Sequence, residues 1–219
     1  MASCVLLLEE ELKKGIFISF EGPDGAGKTT QLKMLREYCT KLGLDTVITR
    51  EPGGTPISEK IRNIILDPDN TEMSARAEAL LYAASRAQLM DSFIRPALEE
   101  GKLVLCDRFV DSSIAYQAYA RKLGDGVRII NEFATDHTMP DLTFFLDIDP
   151  EKGRERNVSA GKKDRMEQEE LAFHVEVYKG YKDIAKKDPG RIVVIDAQRP
   201  QEAVFKDIKA HFDKFIEGR

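Results

Sequence analysis

The segment Gly22-Pro23-Asp24-Gly25-Ala26-Gly27-Lys28-Thr29 constrains this 219-residue chain more than any other. It has the form G-x-x-x-x-G-K-[ST], the phosphate-binding P-loop. Its flanks supply the context that the motif requires. Ile16-Phe17-Ile18-Ser19-Phe20 before it is a β-branched and aromatic run, as a buried strand needs. Leu32, Leu35, Tyr38, Cys39 and Leu42 after it recur at helix spacing, and Gly43 closes the pattern. Glycines let such a loop turn its backbone N–H groups inward around phosphate oxygens, and the helix start adds its positive dipole end. Gly22 through Thr30 are therefore expected to cradle the phosphates of a nucleotide. Lys28 would reach the β- and γ-phosphates, and the Thr29 hydroxyl would meet Mg²⁺.

The rest of the chain repeats the alternation of strand and helix. Strands are predicted at 45–49, 103–106, 142–146 and 192–195. Helical patterns cover 56–66, 75–100 (interrupted near Pro96), 112–123, 127–135, 167–187 and the stretch from Val204 to Phe215. Alternation of this kind specifies an α/β fold. The expected form is a three-layer P-loop NTPase with a parallel sheet of about five strands, helices on both faces and a small lid. Residues 1–15 read as an N-terminal extension. Residues 16–219 read as one domain, with the lid at about 153–166.

Ligands of such sheets sit beyond the carboxyl ends of the strands, so those ends carry the chemistry. The second strand leads into Arg50-Glu51-Pro52-Gly53-Gly54, a tight turn with a charged pair facing the site. The third ends in Asp107, an acid placed opposite the P-loop where these folds hold Mg²⁺. Arg108 beside it suits a second anion, because its planar fork binds phosphate bidentately. Tyr82 and Arg86 share a helix face and fit the stacking and bonding of one flat base; a ring at helix spacing also suits a core. The basic stretch from Gly153 to Glu167 contains Arg154, Arg156 and Arg165. It reads as a lid that brings arginines onto the phosphates when closed, or else as a solvated charged loop.

Composition narrows the class further. Net charge is −5, which opposes electrostatic binding of nucleic acid. Three widely spaced cysteines argue against a disulfide framework or a Cys-rich zinc site, and three scattered histidines against a His-based metal site. No apolar run nears the length that spans a bilayer, and a signal-peptide core is missing, so a cytoplasmic protein without membrane contact is expected. A GTPase switch would need N-K-x-D, and no Asn-Lys pair occurs. A small P-loop kinase is favoured. A deoxynucleoside kinase needs a base to activate a neutral hydroxyl. A regulator without turnover would not need Arg86, Arg108 and a lid together.

From Ile16 to about Phe215 the chain resembles the bacterial thymidylate kinases. The resemblance is carried by Phe20 through Gln31, by the Arg50–Gly54 turn, by Leu105 through Gln117 and by Asp164-Arg165-Met166-Glu167. It implies transfer of the γ-phosphoryl of Mg·ATP to dTMP, giving dTDP and ADP on the way to dTTP, in a homodimer. It also implies roles. Asp24 would face the sugar 3′-hydroxyl and the metal, and Glu51 would line the acceptor site. Arg62 and Arg108 would hold the dTMP phosphate. Tyr82 would stack on thymine, and Arg86 would bind its exocyclic oxygen. Ser113 and Gln117 would face the base's polar edge, and Tyr116 would exclude a 2′-hydroxyl. The metal set would be Thr29, Asp24 and Asp107. The family places a catalytic arginine in either the P-loop or the lid. Gly25-Ala26 offers none, so Arg156 and Arg165 are the candidates, with Arg154 behind them. Asp196-Ala197-Gln198-Arg199 would lie near adenine.

Overall fold

A computed structural model describes residues 15–157 and 164–219. All of the expected N-terminal extension except Gly15, and residues 158–163 of the expected lid, lie outside the described residues.

Five strands form one parallel sheet: β1 (Ile16–Glu21), β2 (Thr46–Arg50), β3 (Leu103–Asp107), β4 (Leu142–Asp147) and β5 (Ile192–Asp196). Their spatial order is β2-β3-β1-β4-β5. Register brings the carboxyl ends level, since Phe20 of β1 and Arg50 of β2 both pair with Asp107 of β3. That alignment gathers Glu21, Glu51, Asp107 and Arg108 at one edge of the sheet.

Successive strand residues point to opposite faces. Ile18, Phe20, Leu105, Phe144 and Leu146 pack on one side against α1 (Lys28–Lys41) and α9 (Gln201–Glu217), through Leu32, Leu35, Ile208 and Phe212. Phe17, Val104 and Cys106 face the other side, against Leu89, Met90, Ile94 and Phe109. Phe145 joins Val177 and Tyr181 of α8 (Leu171–Lys187) there. Each such buried side chain contributes about 1.5–3 kcal/mol, so the sheet is secured from both layers.

On that second side, α2 (Pro56–Leu66) and α3 (Ala75–Leu89) pack together. The expected interruption near Pro96 takes the form of a π-helical stretch, Met90–Ile94, between α3 and α4 (Arg95–Glu99). Proline lacks the N–H and its ring crowds the carbonyl four residues back, and a wider turn accommodates both. A second π-helical stretch, Ile114–Ala120, continues α5 (Val110–Ser113), and α6 is Gly126–Thr135.

Two expectations change. The helix predicted from residue 167 begins at Leu171, because Asp164 first caps a turn by accepting from the N–H groups of Met166 and Glu167. The amino-terminal part of the expected lid is helical, as α7 (Pro150–Asn157). Among the described residues, no helix is long and apolar enough to cross a membrane.

Candidate active site

The P-loop bridges β1 and α1. Gly25 has φ 76° and lies against α7: a Cβ there would meet the Gly153 carbonyl oxygen at 2.0 Å. Gly153 leaves no room either, since its own Cβ would lie 2.5 Å from the carbonyl oxygen of Asp24. Two backbones touch at this point, with no room for a side chain between them.

Lys28 folds back over the loop, and its Nζ donates to the carbonyls of Gly22 (3.0 Å) and Pro23 (2.9 Å). Burial and the nearby charge of Arg108 lower its pKa to about 8. The Thr29 hydroxyl donates to Asp107 Oδ2 at 2.7 Å. These two oxygen donors, on the phosphate side, suit a hard cation such as Mg²⁺. Among the described residues no group of three or more His, Cys, Asp or Glu could hold a metal. Such an ion would therefore complete its shell with phosphate and water oxygens.

Arg108 is the hinge of the site. Its backbone is left-handed, φ 71°, a conformation that costs a non-glycine residue about 1–3 kcal/mol. Hydrogen bonds on either side hold it there. Its own N–H donates to Phe20 O (2.9 Å), and the next N–H, of Phe109, donates to Glu21 Oε1 (2.7 Å). The guanidinium donates to Ser112 Oγ (3.1 Å), Tyr181 OH (3.0 Å) and Asp24 Oδ1 (2.5 Å), and lies over the Tyr116 ring. Glu21 Oε2 accepts in turn from Ser112 (2.6 Å) and Tyr181 (3.1 Å). Burial, aided by the charge of Asp111, raises the Glu21 carboxyl to about 7. Asp24 is half-buried, which opposes its charge, but the charges of Arg108 and Lys28 outweigh that and lower it to about 2.

Two cavities meet here. The larger, of about 740 Å³, runs over Gly25 to Gln31, Asp107 and Arg156 to Ala197 and Arg199. The smaller, of about 110 Å³, is lined by Tyr82, Ser112, Ser113, Tyr116, Gln117 and Met166 among others. Asp24, Glu51, Arg62 and Arg108 line both, so they form the shared wall. Arg62 is steadied by donating to Pro52 O at 2.8 Å.

Most of the sequence-predicted residues thus converge, but three differ from the expected roles. Arg86 does not line the smaller cavity; it lies behind it, 1% exposed. Each of its nitrogens is already engaged: Nε with Glu51 Oε2 (2.7 Å), Nη1 with Ser113 (3.0 Å) and Asn131, and Nη2 with Phe109 O (3.0 Å) and Glu51. A base oxygen finds no spare donor there, so Arg86 acts as a buried clasp. Arg165 does not reach the larger cavity. Its Nε donates to Ile65 O (2.8 Å), and Nη2 pairs with buried Glu78 (2.7 Å). Asp24 turns its carboxylate to Arg108 and Tyr116 rather than to Thr29 and Asp107. Arg156 does line the larger cavity, donating to Ala197 O at 3.0 Å, whereas Arg154 lines neither cavity.

Sequence reasoning missed Glu21, Glu78, Arg121, Asn131 and Tyr181. Glu21 carried a usable signal, being an acid closing a buried strand immediately before the P-loop. Tyr181, in a charged helix, carried none.

The thymidylate kinase family model matches residues 20–208. A thymidylate kinase of Lactobacillus delbrueckii subsp. bulgaricus is 55% identical over 214 residues, covering 93% of this chain and 100% of that one. The thymidylate kinase of a Geobacillus species is 51% identical over 209 residues, covering 94% and 100%. The crystal structure of thymidylate kinase from Ehrlichia chaffeensis superposes with a TM-score of 0.75 at 33% identity. It covers 91% of this chain and 98% of that one. With the match spanning both the P-loop and the arginine wall, the chain belongs to the thymidylate kinase family.

Proposed function

We propose that the two joined cavities hold the two substrates of one phosphoryl transfer, ATP in the larger and the acceptor nucleotide in the smaller. The chain is a kinase that phosphorylates dTMP to dTDP. The observation that carries the division of the site is the shared wall. Arg108 and Arg62 line both cavities, where an acceptor phosphate would face the donor phosphates.

The acceptor oxygen of dTMP is already anionic at neutral pH, so no general base is needed. The residues position and neutralise instead. The P-loop N–H groups and Lys28 hold the donor phosphates. Thr29 and Asp107 would hold Mg²⁺, which when bound spreads the charge of those phosphates. Arg108 and Arg62 fix the acceptor phosphate, and the buried Glu21, Ser112 and Tyr181 keep Arg108 pointed at it. Arg156, from the helix that leads into the lid, completes the charge around the transferred group. Tyr82 and Tyr116 bracket the base and sugar, with Ser113 and Gln117 at the base's polar edge. Ala197 and Arg199 border the adenine end.

Two further features belong to this reading. Ile57 and Ile64 of α2, Leu80 of α3 and Ile129 and Phe133 of α6 are exposed, Phe133 to 89%. Since α3 packs against both α2 and α6, they offer one apolar face for a homodimer. Phe133→Asp should give a monomer in sedimentation equilibrium, and an unchanged dimer would rule that face out. The working compartment is the cytoplasm, in keeping with the buried, unpaired Cys39 and Cys106.

The test of the substrate assignment is ADP release from Mg·ATP with dTMP, dUMP, dCMP, dGMP and thymidine offered separately. Preference for dTMP is expected. Turnover with thymidine but not dTMP would mean that Arg62 and Arg108 do not serve an acceptor phosphate.

A further inference from the structure

Glu78, in the first turn of α3, has no exposed surface. Its Oε1 accepts from Gln117 Nε2 (2.9 Å) and Arg121 Nε (3.2 Å). Its Oε2 accepts from Arg121 Nη2 (3.0 Å) and pairs with Arg165 Nη2 (2.7 Å). Burial opposes its charge, but hydrogen bonds from Arg121 and Gln117 prevail and hold the carboxyl below its ordinary range. Two guanidinium groups thus keep it ionised, and an ionised carboxylate can only accept.

That restriction passes to Gln117. A carboxamide facing an acceptor must present its NH₂, so the carbonyl oxygen is turned the other way. Gln117 is nearly fully buried and lines the smaller cavity beside Ser113 and Tyr116. Among the described residues nothing donates to its Oε1. An occupant that meets this oxygen has to bring a donor.

We infer that Glu78 is a specificity-determining positioning residue: it locks the Gln117 amide with its carbonyl toward the smaller cavity, so that the site selects a base donating a hydrogen bond. The N3–H of thymine or uracil meets that demand. The N3 of cytosine carries a lone pair and would face the Gln117 oxygen acceptor to acceptor. This inference rests on the base of dTMP occupying the smaller cavity.

Glu78→Gln tests it, because it keeps the shape and removes the restriction. Arg121 and Arg165 would claim the single remaining oxygen, leaving an NH₂ toward Gln117. Gln117 would then turn its own oxygen inward and show NH₂ to the cavity, the polarity that suits cytosine. The assay is kcat/KM for dTMP, dUMP and dCMP in wild type, Glu78→Gln, Gln117→Leu and the double variant. The dTMP-to-dCMP ratio should fall at least about tenfold in either single variant, as expected for one buried hydrogen bond. The double variant should fall no further than Gln117→Leu alone, since one residue acts through the other. The dUMP rate should track dTMP throughout. Equal losses on all three substrates in Glu78→Gln would reduce Glu78 to a structural role and overturn the inference. So would an unchanged ratio in Gln117→Leu, which serves if Glu78→Gln does not fold. If the wild type fails to use dTMP at all, the assignment of the cavity fails instead.

Discussion

Arg86→Met removes the clasp behind the acceptor cavity while keeping a long apolar side chain. The Arg86 and Glu51 side chains are 1% and 3% exposed. Glu51 Oε1 already lacks a hydrogen-bond partner, and Oε2 is held by Arg86 alone among its hydrogen-bond donors in the described residues. The variant leaves a buried carboxylate with neither oxygen served, and also strips donors from Ser113, Asn131 and Phe109 O. Breaking a buried pair from one side costs about 3–5 kcal/mol. For a chain of this size each kcal/mol lowers Tm by about 2–4 °C, so a fall of roughly 6–20 °C is expected.

The pH dependence separates the lost charge pairing from lost packing. Burial raises the Glu51 carboxyl above its ordinary range, with the charge of Arg86 pulling the other way. Without Arg86 the pKa rises further. A carboxyl with a raised folded-state pKa takes up a proton on folding as pH falls, so acid relieves the penalty. The Tm deficit of Arg86→Met against wild type should therefore shrink from pH 8 toward pH 5 in scanning calorimetry. Adding Glu51→Gln should recover part of the loss at pH 8 and flatten the profile. A deficit under about 3 °C, or one that grows toward acid, would refute this reasoning. So would unaltered stability with a raised KM for dTMP, which is what direct contact with the base would give.

The other predictions concern turnover. Arg156→Ala should lower kcat about 10³-fold with little change in Tm. Arg165→Ala should instead lower Tm, because it leaves buried Glu78 with one cation fewer; the same pair of assays on both variants decides between them. Arg108→Ala should raise KM for dTMP about 10- to 100-fold, as loss of charge-assisted hydrogen bonds implies, while KM for ATP moves little; equal changes in both would contradict the acceptor role. Lys28 in the free enzyme loses its proton near pH 8. Since kcat/KM reports the free enzyme, that for ATP should fall above this pH. Lys28→Arg, which does not titrate there, should give a lower but flat profile.

The P-loop and the five strands were legible because each is written contiguously, and a parallel sheet turns strand ends into one edge. Arg108 could be found because it immediately follows a buried strand. Its support could not, since Tyr181 meets Glu21 across 160 positions and no local pattern marks a tyrosine that reaches a carboxylate. Arg86 shows the opposite failure. Its place on one helix face with Tyr82 points to a flat base, but the guanidinium meets Glu51, 35 positions earlier in the chain. Arg165 reads as a lid arginine from its own stretch, and its partner Glu78 leaves no local mark, since an acid in the first turn of a helix needs no other explanation than the helix dipole.

The contact between Gly25 and Gly153 bears on how such sites diverge. A side chain at position 25 would have to occupy the 2.0 Å between its Cβ and a backbone oxygen of α7. A cation cannot be moved from the lid-side helix to this point of the loop by substitution there alone; the helix would have to retreat first. Each arrangement is thus a separate packing solution, and the step between them requires coordinated change in two segments more than a hundred residues apart in sequence.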